Sequence, residues 1–428
     1  MAYNVTIGAV DPGTADAHFT TWRLFLESSA PGITPTDWVV TFQANEVHIA
    51  QRYNTDFNQG DWMTEATSVT VTSEGFTGIP YGTLGGNTSQ LYFSFGDKNK
   101  LYFTSSTTCD FTFQDIELRV GPDNGANNSM FFQQSYAHTA TFNRVIITDW
   151  RPGGNSNSNL FGIGYSNTGN GFAIYNSLIT GCQFGTGSGR FVFGVQQSSQ
   201  GAGNTKLYDV IGTTIAGNDD SEASNVLIFQ AKNGIDASKL SAYNCVIGVE
   251  NGASMDSDWL GGNLIQNVTQ DGLGTTPNVN VYTVAGGTSE VYTDVDAGNF
   301  DMLPDPNPAL RAALKLASTT TSPLTKTLRG FDRDLTRPFW DAGAMMGTAA
   351  PDPPVEVTCS IESYLESFGT PSVTPPPVEA TADIEGVLRS TGAPTVIAPP
   401  PSIMSSTIRA TLRTDGTPTA TDPLPVEV

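Results

Sequence analysis

Two groups of carboxylates are spaced closely enough to share a substrate: Asp219, Asp220 and Glu222, then Asp256 and Asp258. Glycan cleavage uses such pairs, about 5–5.5 Å apart when configuration is retained and about 6.5–9.5 Å apart when it is inverted. The chain carries 42 acidic residues, so neighbours of this kind arise readily, and solvated turn residues are the preferred reading. Asp294-x-Asp296-x-Gly298 opens like a calcium loop but lacks the remaining ligand spacing. Trp150 and Trp259 would serve as sugar platforms if exposed, and as packing residues if not. Four cysteines (Cys109, Cys182, Cys245, Cys359) have no CxxC pairing, and three histidines (His18, His48, His138) are not at ligand spacing. No nucleophile elbow, phosphate-binding lysine loop, zinc-protease helix or dinucleotide fingerprint occurs. The expectation is a protein without a cofactor or metal, and more readily a non-enzyme than an enzyme.

Charge narrows the partners. The formal net charge is −22, with 20 basic residues that are nowhere obviously gathered. A phosphate backbone needs clustered Lys and Arg, so nucleic acid is excluded as a partner, and an anionic membrane surface is disfavoured for the same reason. No apolar run approaches 18 residues. The start, Met1-Ala2-Tyr3-Asn4-Val5-Thr6-Ile7, has neither the basic nor the apolar region of a secretory signal, so synthesis in the cytosol without export is expected.

Whatever chemistry the loops carry must be positioned by a repeating frame. Five phrases share one pattern: Phe113-Gln114-Asp115-Ile116, Phe142-Asn143-Arg144-Val145, Tyr175-Asn176-Ser177-Leu178, Tyr208-Asp209-Val210-Ile211 and Tyr243-Asn244-Cys245-Val246. The steps between them are 29, 33, 33 and 35 residues, and a second apolar run precedes each of the last four. Near-constant spacing of this length marks a solenoid or propeller. The phrases are too short for helices, rich in β-branched and aromatic residues, and separated by Gly, Asn, Ser and Asp. A parallel β-helix fits, whereas an antiparallel sandwich gives no reason for equal intervals. The aromatic positions are expected to align from turn to turn, with Asn143, Asn176 and Asn244 forming an amide ladder at the bends. The chain divides into a cap over 1–35, a β-helix over 36–278, a closing region over 279–350 and a repeat region over 351–428. Within the cap, apolar residues at helical spacing over 19–26 predict a short helix, with Thr20 as its N-cap.

The stretch Val295-Asp296-Ala297-Gly298-Asn299-Phe300-Asp301-Met302-Leu303, together with Phe331-Asp332-Arg333-Asp334-Leu335-Thr336-Arg337-Pro338-Phe339-Trp340-Asp341-Ala342-Gly343-Ala344, resembles the ending of pectate-lyase-like β-helix proteins. The strand-plus-helix start is similar to the same group, so the likeness spans about residues 1–347. It implies an all-β, right-handed parallel β-helix with Arg337 and Asp341 as a structural pair sealing the last turn. It implies no single function, since that fold hosts lyases, hydrolases, adhesins and viral fibres. Where the family often carries Glu after Gly-Ala, this chain has Met345-Met346.

The tail holds a second repeat of 23 to 24 residues, in which Ile361, Ile384 and Ile408 correspond, as do Leu365, Leu388 and Leu412. Each unit alternates polar and apolar residues, turns at Gly-x-Pro and ends in a proline-rich spacer. One such unit is too small to bury a core, so these six residues are candidates for docking onto a partner, where linked weak sites gain by effective concentration. A signal-less acidic β-helix with a proline-punctuated anchor resembles virion proteins of tailed bacteriophages: head fibres, decoration proteins, tail fibres and spikes. The resemblance implies a structural virion protein attached to capsid or tail through 351–428. The alternative it implies is a tailspike-like protein that binds or depolymerises host surface polysaccharide. Fibres and spikes are often trimers, so a homo-oligomer is possible, although no coiled-coil heptad supports one.

Overall fold

The computed structural model describes residues 2–27, 37–49, 66–93, 101–103, 109–120, 130–133, 138–151, 159–163, 171–183, 190–195, 207–218, 226–231, 240–243, 245–247, 263–265, 268–269, 282–283, 291–295, 297–302, 326–330, 386–390 and 410–414. They fall into two compact units, 1–348 and 349–428. The first is a β-solenoid of stacked parallel strands.

Three sheets run along it. The first stacks Ala17–Phe19, Tyr3–Ile7, Asp37–Phe42, Ser68–Ser73, the first half of Asp110–Val120, the first half of Ala140–Thr148, Phe172–Tyr175, Tyr208–Ile211, Leu240–Tyr243 and Asn263–Ile265. The second stacks Val47–Ile49, Gln90–Phe93, the second halves of the same two long strands, Leu178–Thr180, Thr214–Ile215, Val246–Ile247, Val268–Thr269 and Tyr282–Thr283. The third stacks Leu101–Phe103, Phe131–Gln133, Asn159–Ile163, Arg190–Val195 and Val226–Ala231. Every one of these pairings is parallel.

Alternation of apolar and polar residues makes the strands, and one backbone conformation makes the corner. Asp37–Phe42 and Ser68–Ser73 bury every second side chain, as a strand with one face inward must. Asp110–Val120 does the same until Gln114 and Asp115, two successive outward residues, break the period. Asp115, Arg144, Asn176 and Gly212 have φ of 53°, 54°, 48° and 58° and occupy equivalent places between sheets one and two. A single left-handed residue thus turns each of these four rungs. Gly, Asn and Asp take this conformation readily, while for Arg it costs about 1–2 kcal/mol. Arg144 offsets that cost with an ion pair to Asp115, the corner residue one rung away.

The interior is an aromatic column. Phe131, Phe161 and Phe193 occupy one register position of sheet three and stack at 4.9 and 5.4 Å, with interplanar angles of 26° and 23°. Phe113, Phe142, Phe172 and Tyr208 face them from sheet one, and all seven rings are buried. Two polar groups cross this interior. Gln133 Nε2 donates to Gly171 O at 2.9 Å, and Tyr208 Oη bonds the carbonyls of Phe161 and Gly194 at 3.0 and 2.9 Å.

The register differs from the aromatic alignment expected from the sequence. Phe142 does stand over Phe113, but its next partner is Ile174, not Tyr175; Tyr208 pairs with Phe172, and Tyr243 with Ile211. Tyr175 faces outward, where its hydroxyl donates to Asp209 at 2.9 Å. The amide ladder is corrected likewise. Asn143 pairs with Tyr175 within the strand, whereas Asn176 is a corner residue; Asn244 lies outside the described residues. A ladder of small hydroxyl and thiol groups follows the corner instead. Ser177 accepts from Val145 N (3.1 Å) and donates to Tyr175 O (2.8 Å), Thr213 Oγ1 donates to Ile211 and Ile174 carbonyls, and Cys245 Sγ reaches Val210 O.

At the amino-terminal end a short helix, α1 (Trp22–Glu27), lays Trp22 and Phe25 over Phe19, Trp38 and Phe42. Its N-cap is Thr21, whose Oγ1 accepts the amide of Leu24 at 3.2 Å, one residue later than the sequence suggested, because residues 17–19 pair as a strand with Tyr3–Ile7. No described helix is long and apolar enough to cross a membrane.

In the second unit, Gly386–Ser390 and Ala410–Thr414 pair in parallel, with Leu388 opposite Leu412 and Arg389 opposite Arg413.

Candidate functional site

From Glu117 to Thr214 sheet two is buried on both faces, and its outer face there is where distant parts of the first unit converge. Ile116, Leu118, Val145 and Ile147 point into the column. By alternation Glu117, Ile146, Leu178 and Thr214 point outward, yet they too are buried. Three segments cover them. The loop 74–89 joins Ser68–Ser73 to Gln90–Phe93. An antiparallel hairpin, Tyr292–Asp294 with Asn299–Met302, contributes Tyr292, whose hydroxyl meets Thr214 Oγ1 at 2.9 Å, and Phe300, whose ring packs edge-on against Tyr292 at 5.7 Å. The segment 326–330 contributes the fully buried Leu328.

These covers also touch each other. A methyl group added at Gly298 would stand 2.7 Å from Thr83 Cγ2, and one at Gly78 would stand 2.8 Å from Leu328 O. Arg329 pairs with Asp301 at 2.6 Å, and a methyl group at Gly330 would meet Arg144 Nη1 at 3.2 Å. Residues 291–302 and 326–330 therefore lie along the flank of the stack from the corner Arg144 to Gly217, while Tyr282–Thr283 continues sheet two itself. Arg337 and Asp341 lie outside the described residues.

The chemically distinctive group under this cover is Glu117, 2 % exposed. Its Oε2 accepts Tyr81 N at 2.7 Å and Asn87 Nδ2 at 2.8 Å, both from the loop. Burial pushes its carboxyl up to about 7, although the bonds from Asn87, Tyr81 and Thr148 and the charge of Arg119 oppose that shift. Arg119 is itself held by Asp149 at 2.9 Å and lies 5.0 Å over the Tyr92 ring. On the outer face of sheet one, burial and then the Asp209 carboxylate raise the Tyr175 phenol. Burial also pushes the Cys109 and Cys182 thiols up to about 12, which leaves them as protonated packing groups and not nucleophiles.

Asp219, Asp220, Glu222, Asp256, Asp258, Asp296 and Trp259 lie outside the described residues, as do Ile361, Leu365, Ile384 and Ile408. Asp294 is the last residue of the hairpin's first strand, and its Oδ1 accepts Ala297 N at 3.1 Å ahead of Gly298. Trp150 is 1 % exposed and belongs to the interior, so it cannot be a sugar platform. Among the described residues no three His, Cys, Asp or Glu side chains are grouped to hold a metal ion. Glu117 was not singled out by its sequence, where it reads as an ordinary outward strand residue. The signal lay beside it: Val145-Ile146-Ile147 is continuously apolar, as a strand buried on both faces must be.

Compared with known proteins, the chain matches no family model, no curated protein and no solved structure.

Proposed function

We propose that this protein is a non-enzymatic structural component of a particle of the tailed-phage kind, its β-helix forming a stiff element and residues 351–428 attaching it to capsid or tail. The observation that carries the reading is in the second unit. Strands one repeat apart, Gly386–Ser390 and Ala410–Thr414, pair in parallel with equivalent repeat positions in register. A parallel pair this short buries little of its own and gains by docking on a partner surface. The aromatic column supports the other half of the reading, because a closely packed interior threaded through four successive rungs gives a rigid element.

Deleting 351–428 tests the attachment. The truncated chain is expected to keep its β-rich circular dichroism while disappearing from purified particles. Retention on particles would move the attachment to the other unit, and absence of the full-length protein from any particle would sink the reading. Incubation with host surface polysaccharide is expected to release neither reducing ends nor unsaturated sugars; release of either would favour a depolymerase.

A further inference from the structure

The loop 74–89 is held as a defined object. Thr83 N and Gly86 N close turns on Pro80 O and Thr83 O, Asn87 N bonds Ile79 O at 2.9 Å, and Asn87 Oδ1 accepts Thr77 N at 2.7 Å. Its apex carries Leu84, fully exposed, and Tyr81, 43 % exposed. The stretch from Gly75 to Phe95 contains no charged residue, in a chain of net charge −22. The loop's root is bonded to the rung below, Glu74 N donating to Phe42 O at 2.8 Å and Glu74 Oε2 accepting Ala44 N at 3.3 Å, whereas its apical part is fastened to sheet two through Glu117 Oε2, by the Tyr81 backbone amide and the Asn87 side-chain amide.

We propose that Glu117 is a proton-operated latch: protonated, it holds the loop 74–89 on the outer face of sheet two, and ionised, it lets the loop and its Tyr81–Leu84 apex lift away. An ionised carboxylate sealed from water carries a large desolvation cost unless a counter-charge is supplied. The groups facing Glu117 supply only a partial one, from Arg119. From the loop come the neutral amides of Tyr81 and Asn87; in its own row of sheet two stand Gln90 and Ile146; Thr148 offers a hydroxyl. Arg119, two residues along the same strand, is committed to Asp149. Lifting the loop admits water to the carboxylate, and the cost disappears.

The sign follows from the direction of the shift. The carboxyl holds its proton up to about 7 when the loop is closed, against an ordinary value of 4.5 when it is open. The closed state is therefore most favoured at low pH, and its advantage is lost as pH rises through about 7.

Amide hydrogen exchange on the full chain, corrected for intrinsic rates, tests this at the Tyr81 amide. Its opening equilibrium is expected to rise roughly thirty-fold between pH 5 and pH 7, for release of one proton. Glu117→Gln keeps an acceptor for the same donors and should remove that pH dependence, while protection at Phe142 in sheet one stays unchanged. Asn87→Ala, which takes away one donor and leaves the carboxylate, should raise opening at every pH and keep the slope. A Tyr81 amide equally protected at pH 5 and pH 8, or a Glu117→Gln chain that retains the pH dependence, would overturn the latch.

Discussion

Phe161→Ala is expected to cost about 3–5 kcal/mol of folding stability, the range for removing a buried aromatic ring. The Phe161 ring sits at the centre of the column, 4.9 Å from Phe131, 5.0 Å from Phe142, 5.3 Å from Phe172 and 5.4 Å from Phe193. Those neighbours come from four other rung segments and are held by the parallel ladders on either side, so they cannot collapse into the space. The carbonyl of the same residue accepts the Tyr208 hydroxyl, and any backbone shift that relieves the cavity strains that buried bond. In a stack where each rung touches only its neighbours, weakening one interface also splits the cooperative unit. Urea denaturation should show both a lower midpoint and a broader transition. Thr141→Ala, on the outward side of the neighbouring strand, is expected to change stability by no more than about 0.5 kcal/mol. A Phe161→Ala chain within about 1 kcal/mol of the parent would mean that the rings do not form one continuous interior.

Much of the frame was legible in the sequence because a strand with one buried face announces itself by period two. Asp37–Phe42 and Ser68–Ser73 follow that rule without exception. The exact register was not legible, because an aromatic residue does not declare which way it points. Tyr208 faces the column and Tyr175 faces out, yet both begin an apolar phrase. The corner was hidden for another reason. One left-handed conformation is filled by Asp, Arg, Asn and Gly in successive rungs, and the Arg is made tolerable by its neighbour and not by its own propensity. The cover over sheet two was the least visible feature. Glu117 reads as solvent-facing from its own strand, and what buries it comes from residues 81 and 87, while Thr214 on the same face is met by residue 292. Only the unbroken apolar run at Val145-Ile146-Ile147 shows locally that a second layer exists.

Gly171→Ala is expected to destabilise the fold by roughly 2–4 kcal/mol, combining overpacking with damage to one ladder bond. Gly171 lies where the chain enters sheet one, directly over the next rung. An added Cβ would stand 1.7 Å from Leu207 O, 2.3 Å from Leu207 C and 2.6 Å from Leu207 Cα. All three are backbone atoms, so no rotamer change relieves the contact. Leu207 O is also the acceptor for Phe172 N at 2.9 Å, and pushing it away opens the first hydrogen bond between these two rungs. On its other side Gly171 O accepts both Ala140 N and the buried Gln133 Nε2, so the glycine cannot retreat without releasing them. Gly181 provides the contrast. Its φ of 63° is left-handed and an added Cβ there meets nothing within 4 Å, so its requirement is conformational and not spatial. Asn, which tolerates that conformation, should be accepted at 181 with a small loss but rejected at 171. Thermal denaturation of the two Asn variants separates the causes: equal losses would mean that rung spacing at Leu207 is not what demands a glycine.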